Sequence, residues 1–339
     1  MEKLLEVRNL EVSFSTYAGE VQAVRNVSFD VRRNETVAIV GESGCGKSVT
    51  SKAIMGLLPP HGCQIKSGEI IFNGKDVLNL SDTEHQNFCG KECAMIFQDA
   101  LSSLNPTLTV GTQVMENLVN HTDLNIAQRK ERAIELLQKV GISDSEKCMQ
   151  KYPMELSGGM RQRVMIASAI ICHPNLLIAD EPTTALDVTI QAQVLELLRN
   201  IQEMEKMSII LITHDLGVVA QMAERIIVMY AGKIVEQGTS HDIFYHPQHP
   251  YTWALLHSVP RLMNENGHQR LQTIEGNLPS SINPHEGCAF ANRCPYCMNI
   301  CQNEEPKQYS LEGEHRVSCW LQESMADKSE IPFLKGAIK

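Results

Sequence analysis

The chain has 339 residues, 43 % of them hydrophobic, and a formal net charge of −10. That is room for one large domain and a smaller one, and the acidic balance argues against general nucleic-acid binding, which needs a basic face. No stretch approaches the roughly 18–20 uninterrupted apolar residues of a membrane span, and Met1 to Glu6 lacks a signal peptide's apolar region, so the expectation is a chain that stays in the cytoplasm.

From the amino end, Leu4 to Val31 alternates apolar and polar in short runs, which predicts antiparallel strands. Asn34 falls in the turn that follows, where Asn tolerates left-handed backbone. The apolar run Thr36 to Val40 then meets Gly41-Glu42-Ser43-Gly44-Cys45-Gly46-Lys47-Ser48, a G-x-x-x-x-G-K-S pattern, and a helical stretch opens at Val49. Strand, glycine loop and helix in that order make a phosphate-binding loop. Its glycines let backbone N–H groups close around phosphate oxygens, and the helix N-terminus adds unsatisfied donors. Gly41, Ser43, Gly44, Cys45, Gly46, Lys47, Ser48 and Val49 are therefore the candidate nucleotide contacts; Lys47 would reach the β- and γ-phosphates and Ser48 would hold Mg²⁺.

Further on, Gly68 to Gly74 reads as a strand ending in a turn, and Ile126 to Val140 as a helix with Ala133, Leu136, Leu137 and Val140 on one face. Leu156-Ser157-Gly158-Gly159-Met160-Arg161-Gln162 opens another helix, with Ser157 as N-cap and two glycines exposing backbone donors to an anion. Leu176 to Ala179 and Ile209 to Ile212 are continuous apolar runs suited to parallel strands buried on both faces. Asp180, at the carboxyl end of the first, is placed to organise Mg²⁺, and Glu181 to polarise an attacking water as general base. Ile226 to Glu236 reads as a hairpin. After about Gly238 Pro, His and Asn become frequent, with His246 and His249 read as parts of a structural loop, and Ala326 to Lys339 reads as a loose tail.

Of eleven cysteines, Cys45, Cys63, Cys89, Cys93, Cys148 and Cys172 are scattered and read as small apolar side chains. Cys288, Cys294, Cys297, Cys301 and Cys319 crowd into one segment, which in a chain without a secretion signal reads as a metal or cluster site before disulfides.

The order phosphate loop, Gln98, L-S-G-G-M-R-Q, L-L-I-A-D-E-P-T-T-A-L-D, His214 resembles the ATP-binding subunit of an ABC transporter. The resemblance implies an α/β fold: a P-loop ATPase with a RecA-like core, an antiparallel β subdomain and a helical subdomain over about 99–172, together residues 1–240. It implies a head-to-tail pair of such domains, so that Ser157, Gly158 and Gly159 act on nucleotide held by the partner. It makes Gln98 a contact to Mg²⁺ or to water, His214 a contact to the γ-phosphate, and Ala185-Leu186-Asp187 a loop crossing the dimer interface. Tyr17 is the candidate for stacking on adenine, with Phe14 the alternative. Asn34 and Ala100 depart from the family's usual Gly and Pro, neither at the chemistry.

Gly287-Cys288-Ala289-Phe290, Arg293-Cys294-Pro295, His249-Pro250-Tyr251-Thr252 and Cys319-Trp320 resemble the carboxyl-terminal extension, here 241–339, of oligopeptide and dipeptide importer ATPases, parts of which nickel importers share. Gly56 to Pro60 followed by Ser67 to Ile70 resembles the subunit lettered D, whose companion would be an F-type ATPase in a heterodimer. In that group Cys288, Cys294, Cys301 and Cys319 can hold a 4Fe-4S iron–sulfur cluster; four thiolates equally suit Zn²⁺, and Cys297 is read as a non-ligand.

The function implied is ATP hydrolysis that energises peptide import at the cytoplasmic face of the membrane, with two permease subunits and an extracytoplasmic solute-binding protein as partners and no nucleic acid. A nickel importer is the alternative for the same role. A soluble ABC ATPase working on ribosomes or DNA is a distant one, since the chain has one motif set, no sustained heptads and the wrong charge. A redox sensor gating hydrolysis through the cysteines is the third.

Overall fold

A computed structural model describes residues 2–98, 103–184, 186–258, 274–326 and 331–334. Asp99, Ala100 and Ala185 lie outside the described residues.

Two long strands, β1 (Lys3–Thr16) and β2 (Gly19–Arg32), form an antiparallel hairpin. With β4 (Cys63–Phe72) and β5 (Lys75–Asp76) they make a sheet of order β2-β1-β4-β5. Apolar residues on alternate positions of β1 and β2 (Val12, Val27, Phe29 and Val31 among them) are buried against the central sheet.

That central sheet has the order β11-β12-β10-β9-β3-β8-β7-β6. Strands β3 (Thr36–Val40), β6 (Cys93–Ile96), β7 (Leu176–Asp180) and β8 (Ser208–Ile212) run parallel. Every residue of β3, β7 and β8 is buried, as a parallel strand covered on both faces requires. β9 (Arg225–Tyr230) is parallel to β3 and forms the expected hairpin with β10 (Lys233–Thr239) across Ala231 and Gly232, both at positive φ. Asn34 adopts φ 62°, and its amide donates to Ser208 Oγ at 2.9 Å.

Helix α1 (Lys47–Ile54) follows the glycine loop and α2 (Asp82–Phe88) is closed by a Ser81/Glu84 capping box. Between β6 and β7 the chain builds a helical layer of α3 (Val110–His121), α4 (Ile126–Lys139), α5 (Ser145–Cys148) and α6 (Gly158–Ile170). The face predicted for α4 is the buried one: Ala133, Leu136 and Leu137, with Val140 just beyond, share a core with Val114, Leu118 and Val164. Helices α7 (Val188–Glu205) and α8 (Leu216–Met222) are N-capped by Asp187 and Asp215.

The carboxyl-terminal region begins with α9 (Ser240–Tyr245) and α10 (Pro250–His257) and continues through α11 (Asn299–Asn303), β11 (Tyr309–Ser310) and β12 (Arg316–Val317). β12 pairs with Glu236 and Gln237 of β10, so this region extends the central sheet. Glu236 is fully buried; its carboxylate accepts from the amides of Gln248 (2.6 Å) and His249 (3.0 Å) and lies 2.7 Å from His315 Nε2. On the other side Val21 bridges Ile282, and the Gln22 amide donates to the Ser281 carbonyl. The loose tail expected after Ala326 is corrected at one point. Ile331 and Phe333 are buried with Val317, Cys319 and Leu321, against Trp253 and Tyr296, because apolar groups this close to the chain's end still find an open apolar face.

Candidate functional site

The carboxyl ends of β3, β8, β7 and β6 lie side by side, where ligands of open α/β sheets bind. β3 delivers the glycine loop, β7 delivers Asp180 and Glu181, β8 leads to Thr213 and His214, and β6 leads to Gln98.

Two loop glycines are dictated by their surroundings. A Cβ on Gly41 (φ 151°) would stand 2.1 Å from the Met229 carbonyl oxygen, and one on Gly46 (φ 104°) 2.5 Å from that of Ala23. The loop is thus pressed onto the sheet and hairpin. Lys47 is buried, its Nζ donating to the carbonyls of Gly41 (2.7 Å) and Glu42 (3.0 Å). Ser43 and Gly44 form the exposed crest.

Ser48 Oγ donates to Asp180 Oδ1 at 3.1 Å, which brings two of the three Mg²⁺ candidates into contact. Burial pushes the Asp180 carboxyl above its ordinary range, against the opposing hydrogen bond from Ser48. The third candidate, Gln98, turns to Glu181: its Nε2 donates to Oε2 at 2.9 Å. Thr184 Oγ1 donates to the same oxygen at 2.9 Å, and His214 Nδ1 stands 3.2 Å from Oε1. Burial alone would raise Glu181; the hydrogen bonds from Thr184 and His214, and the charge of Lys47, outweigh it and hold the carboxyl below its ordinary range. Glu181 also sits at φ 49°, a left-handed conformation costly for a side chain of this kind, and its backbone N–H donates to the Ile212 carbonyl (2.8 Å). An ionised carboxylate oriented by three neighbours is equipped to take a proton from water.

Ser157 caps α6, accepting from the Met160 amide, and Ser157 and Gly158 are exposed. A Cβ on Gly158 would meet nothing within 4 Å, so this helix start opens outward. Tyr17 stands fully exposed at the tip of the β1–β2 hairpin, whereas Phe14 packs against the core.

Sequence reasoning did not single out Thr184, although its spacing of three from Glu181 was a usable signal. It also passed over Glu42. The Glu42 carboxylate is paired with Arg293 (2.7 and 3.0 Å), and its amide donates to Tyr251 Oη at 2.9 Å. Those partners lie 251 and 209 residues away, beyond any local pattern.

The carboxyl-terminal cysteines form a second locus. Cys288, Cys294, Cys301 and Cys319 line one small cavity with His249, Phe290 and Trp320. Burial pushes the Cys288 thiol up to about 11 and that of Cys294 to about 12, and raises Cys301 and Cys319 as well. Cys297 does not line the cavity, and Gln302 Nε2 donates to its sulfur at 3.2 Å. Among the described residues no group of three or more His, Cys, Asp or Glu is gathered closely enough to hold a single metal ion. His249 is buried, and its Nδ1 accepts from the Tyr251 amide at 3.0 Å, which caps α10; burial lowers its pKa to about 3.

Among the described residues no helix is long and apolar enough to cross a membrane. The sequence family described as ABC transporter matches residues 24–184, and the one described as oligopeptide/dipeptide transporter, C-terminal region, matches residues 235–301. The chain is 55 % identical over 327 residues to the dipeptide transport ATP-binding protein DppD of Bacillus subtilis (strain 168), covering 96 % of this chain and 97 % of that protein. It is 54 % identical to the oligopeptide transport ATP-binding protein OppD of the same organism, covering 97 % and 92 %. Among solved structures, the ATP-binding cassette MJ0796, a dimer in a post-hydrolysis state bound to ADP and Pi, superposes with a TM-score of 0.62 at 27 % identity, covering 69 % of this chain and 98 % of that one.

Proposed function

This chain belongs to the ABC transporter ATP-binding subunits of the oligopeptide/dipeptide transport family, and from that premise we propose that it hydrolyses ATP to energise import of di- or oligopeptides. The observation that carries the reading is the convergence of Gln98, Thr184 and His214 on Glu181, beside the Ser48–Asp180 pair at the end of the phosphate loop. The family fits ATP and Mg²⁺, and a buried carboxylate with an adjacent hydroxyl suits a hard, oxygen-seeking cation. Ser48 and Asp180 would hold Mg²⁺, with Gln98 nearby, and the ion would supply positive charge against the triphosphate.

Gly41, Ser43, Gly44, Cys45, Gly46 and Val49 would contact the phosphates through backbone groups, and Lys47 would exchange its carbonyl partners for phosphate oxygens. Glu181 would accept a proton from the attacking water while Gln98 and His214 fix its position. Tyr17 would stack on the adenine. Ser157, Gly158 and Gly159 would bind nucleotide held by a second, F-type ATPase subunit; their outward-opening helix start supports action in trans. The helical layer at about 99–172 would grip two permease subunits, which places the chain peripherally at the cytoplasmic face, with a solute-binding protein reached through the complex. Residues 1–240 would be the ATPase and 241–339 the transporter-specific extension.

We further propose that Cys288, Cys294, Cys301 and Cys319 hold a 4Fe-4S cluster, with Zn²⁺ the alternative. Four thiols on one cavity support a site. The group would supply a structural cross-link of four chain positions.

The test of the ATPase reading is turnover in the assembled transporter. Glu181→Gln should bind ATP and not hydrolyse it; hydrolysis at the normal rate would refute the role. Iron, sulfide and zinc analysis of chain purified without oxygen tests the cysteines: roughly four irons and four sulfides support the cluster, zinc replaces it, and neither metal removes the site.

A further inference from the structure

The carboxyl-terminal region reaches back to the phosphate loop through one side chain. Arg293 is almost wholly buried, with 6 % of its side chain exposed. A guanidinium has five N–H donors, and here all find acceptors. Nη1 donates to Glu42 Oε2 (2.7 Å) and Tyr230 Oη (3.2 Å), Nη2 to Glu42 Oε1 (3.0 Å) and the Ile274 carbonyl (3.1 Å), and Nε to the Glu275 carbonyl (2.9 Å). Its carbon lies 5.7 Å from the centroid of the Tyr230 ring. The pairing with Glu42 is two-pronged, the geometry in which a guanidinium fixes a carboxylate's orientation as well as its charge.

Glu42 is held at three points at once. Arg293 takes its carboxylate, Tyr251 Oη accepts from its amide, and its carbonyl accepts from Lys47. Tyr251 cannot drift, because it is fully buried and packs against Tyr230 (centroids 4.7 Å apart) and Phe290 (5.4 Å). The residue before Glu42 is Gly41, itself wedged against Met229. The first half of the loop is therefore anchored to the extension, while Ser43 and Gly44 stay exposed.

We propose that Arg293 is a positioning residue for nucleotide binding: it neutralises Glu42 and locks the amino-terminal half of the phosphate loop, so that the extension sets the ATP affinity of the catalytic site. This rests on the reading of Gly41 to Ser48 as the ATP site. An uncompensated Glu42 carboxylate beside bound triphosphate repels it, and a loop freed from Arg293 must be ordered again each time ATP binds. Both effects act on binding more than on the chemical step.

The experiment is titration of the full chain with MgATP, paired with ATPase kinetics in the assembled transporter, for wild type, Arg293→Gln, Glu42→Gln, the double variant and Lys47→Ala. Arg293→Gln is expected to raise the Kd for MgATP about tenfold, equivalent to about 1.4 kcal/mol, and to raise KM while kcat changes less than twofold. The double variant, with the carboxylate charge gone too, is expected to bind better than Arg293→Gln alone. A merely structural arginine would lower the melting temperature and leave the Kd for MgATP unchanged. An unchanged Kd in Arg293→Gln, or a double variant no better than the single one, overturns the proposal while Lys47→Ala still loses ATP. Wild type that fails to bind MgATP overturns the ATP-site reading and this proposal with it.

Discussion

Glu236→Ala should loosen the carboxyl-terminal region from the sheet. The carboxylate is fully buried and serves three partners, the amides of Gln248 and His249 and the His315 ring. Each buried group left without a partner costs about 1–3 kcal/mol, and water entering the space of the lost side chain recovers part of it, so a total of about 3–6 kcal/mol is expected. Unfolding entropy of about 2.1 cal/mol/K per residue gives about 0.7 kcal/mol/K for a chain of 339 residues. The melting temperature should then fall by about 4–9 °C. Calorimetry measures this, and limited proteolysis reports where the chain opens: new cuts should fall in the region after residue 240 before the ATPase core is attacked. His315→Ala, which removes one of the three partners, should fall between variant and wild type. A melting temperature within about 1 °C of wild type, with unchanged proteolysis, would refute the reasoning.

Glu181→Gln should lower turnover by about 10²–10⁴-fold while retaining MgATP binding, measured by single-turnover hydrolysis and by titration. Asp180→Asn should raise the melting temperature of nucleotide-free protein. The folded carboxyl titrates above its unfolded value because of burial, so its charge opposes folding near neutral pH, and the gap from wild type should narrow as pH falls through the folded pKa. The same variant should lose the extra stabilisation that Mg²⁺ gives with ATP; a lower melting temperature would contradict the sign. Gly41→Ala should cost at least about 2–3 kcal/mol, since it adds both a clash with Met229 and a strained φ, and chemical denaturation would show it.

The placement of the candidate site was legible because its signals are local. Gly41 to Ser48 carries its spacing within one loop, and Asp180 and Glu181 end a run whose apolar character already implies a buried parallel strand. The hairpin over Ile226 to Glu236 and the buried face of Ile126 to Val140 were legible for the same reason: period and turn lie within a dozen or so residues. Partnerships set by tertiary packing were not. Nothing near Arg293 in sequence points to Glu42, and nothing in the Ala326 to Lys339 stretch marks Ile331 and Phe333 as packed. Gln98 shows the limit of a motif: its position was readable, but not that its amide turns to Glu181 instead of the Ser48–Asp180 pair.

Strands β11 and β12 also bear on solubility. Without them β10, seven residues long and mostly buried, would end the sheet with a row of open amides and carbonyls, a template on which another chain could pair. β12 and the amide of Ser318 occupy that row at Val235 to Gln237. The edge that replaces it is β11, only Tyr309 and Ser310, with Lys307 and Glu323 bridged beside it at 3.0 Å. An edge strand two residues long and flanked by charge offers little purchase to a second copy, so this side of the sheet is guarded against edge-to-edge pairing.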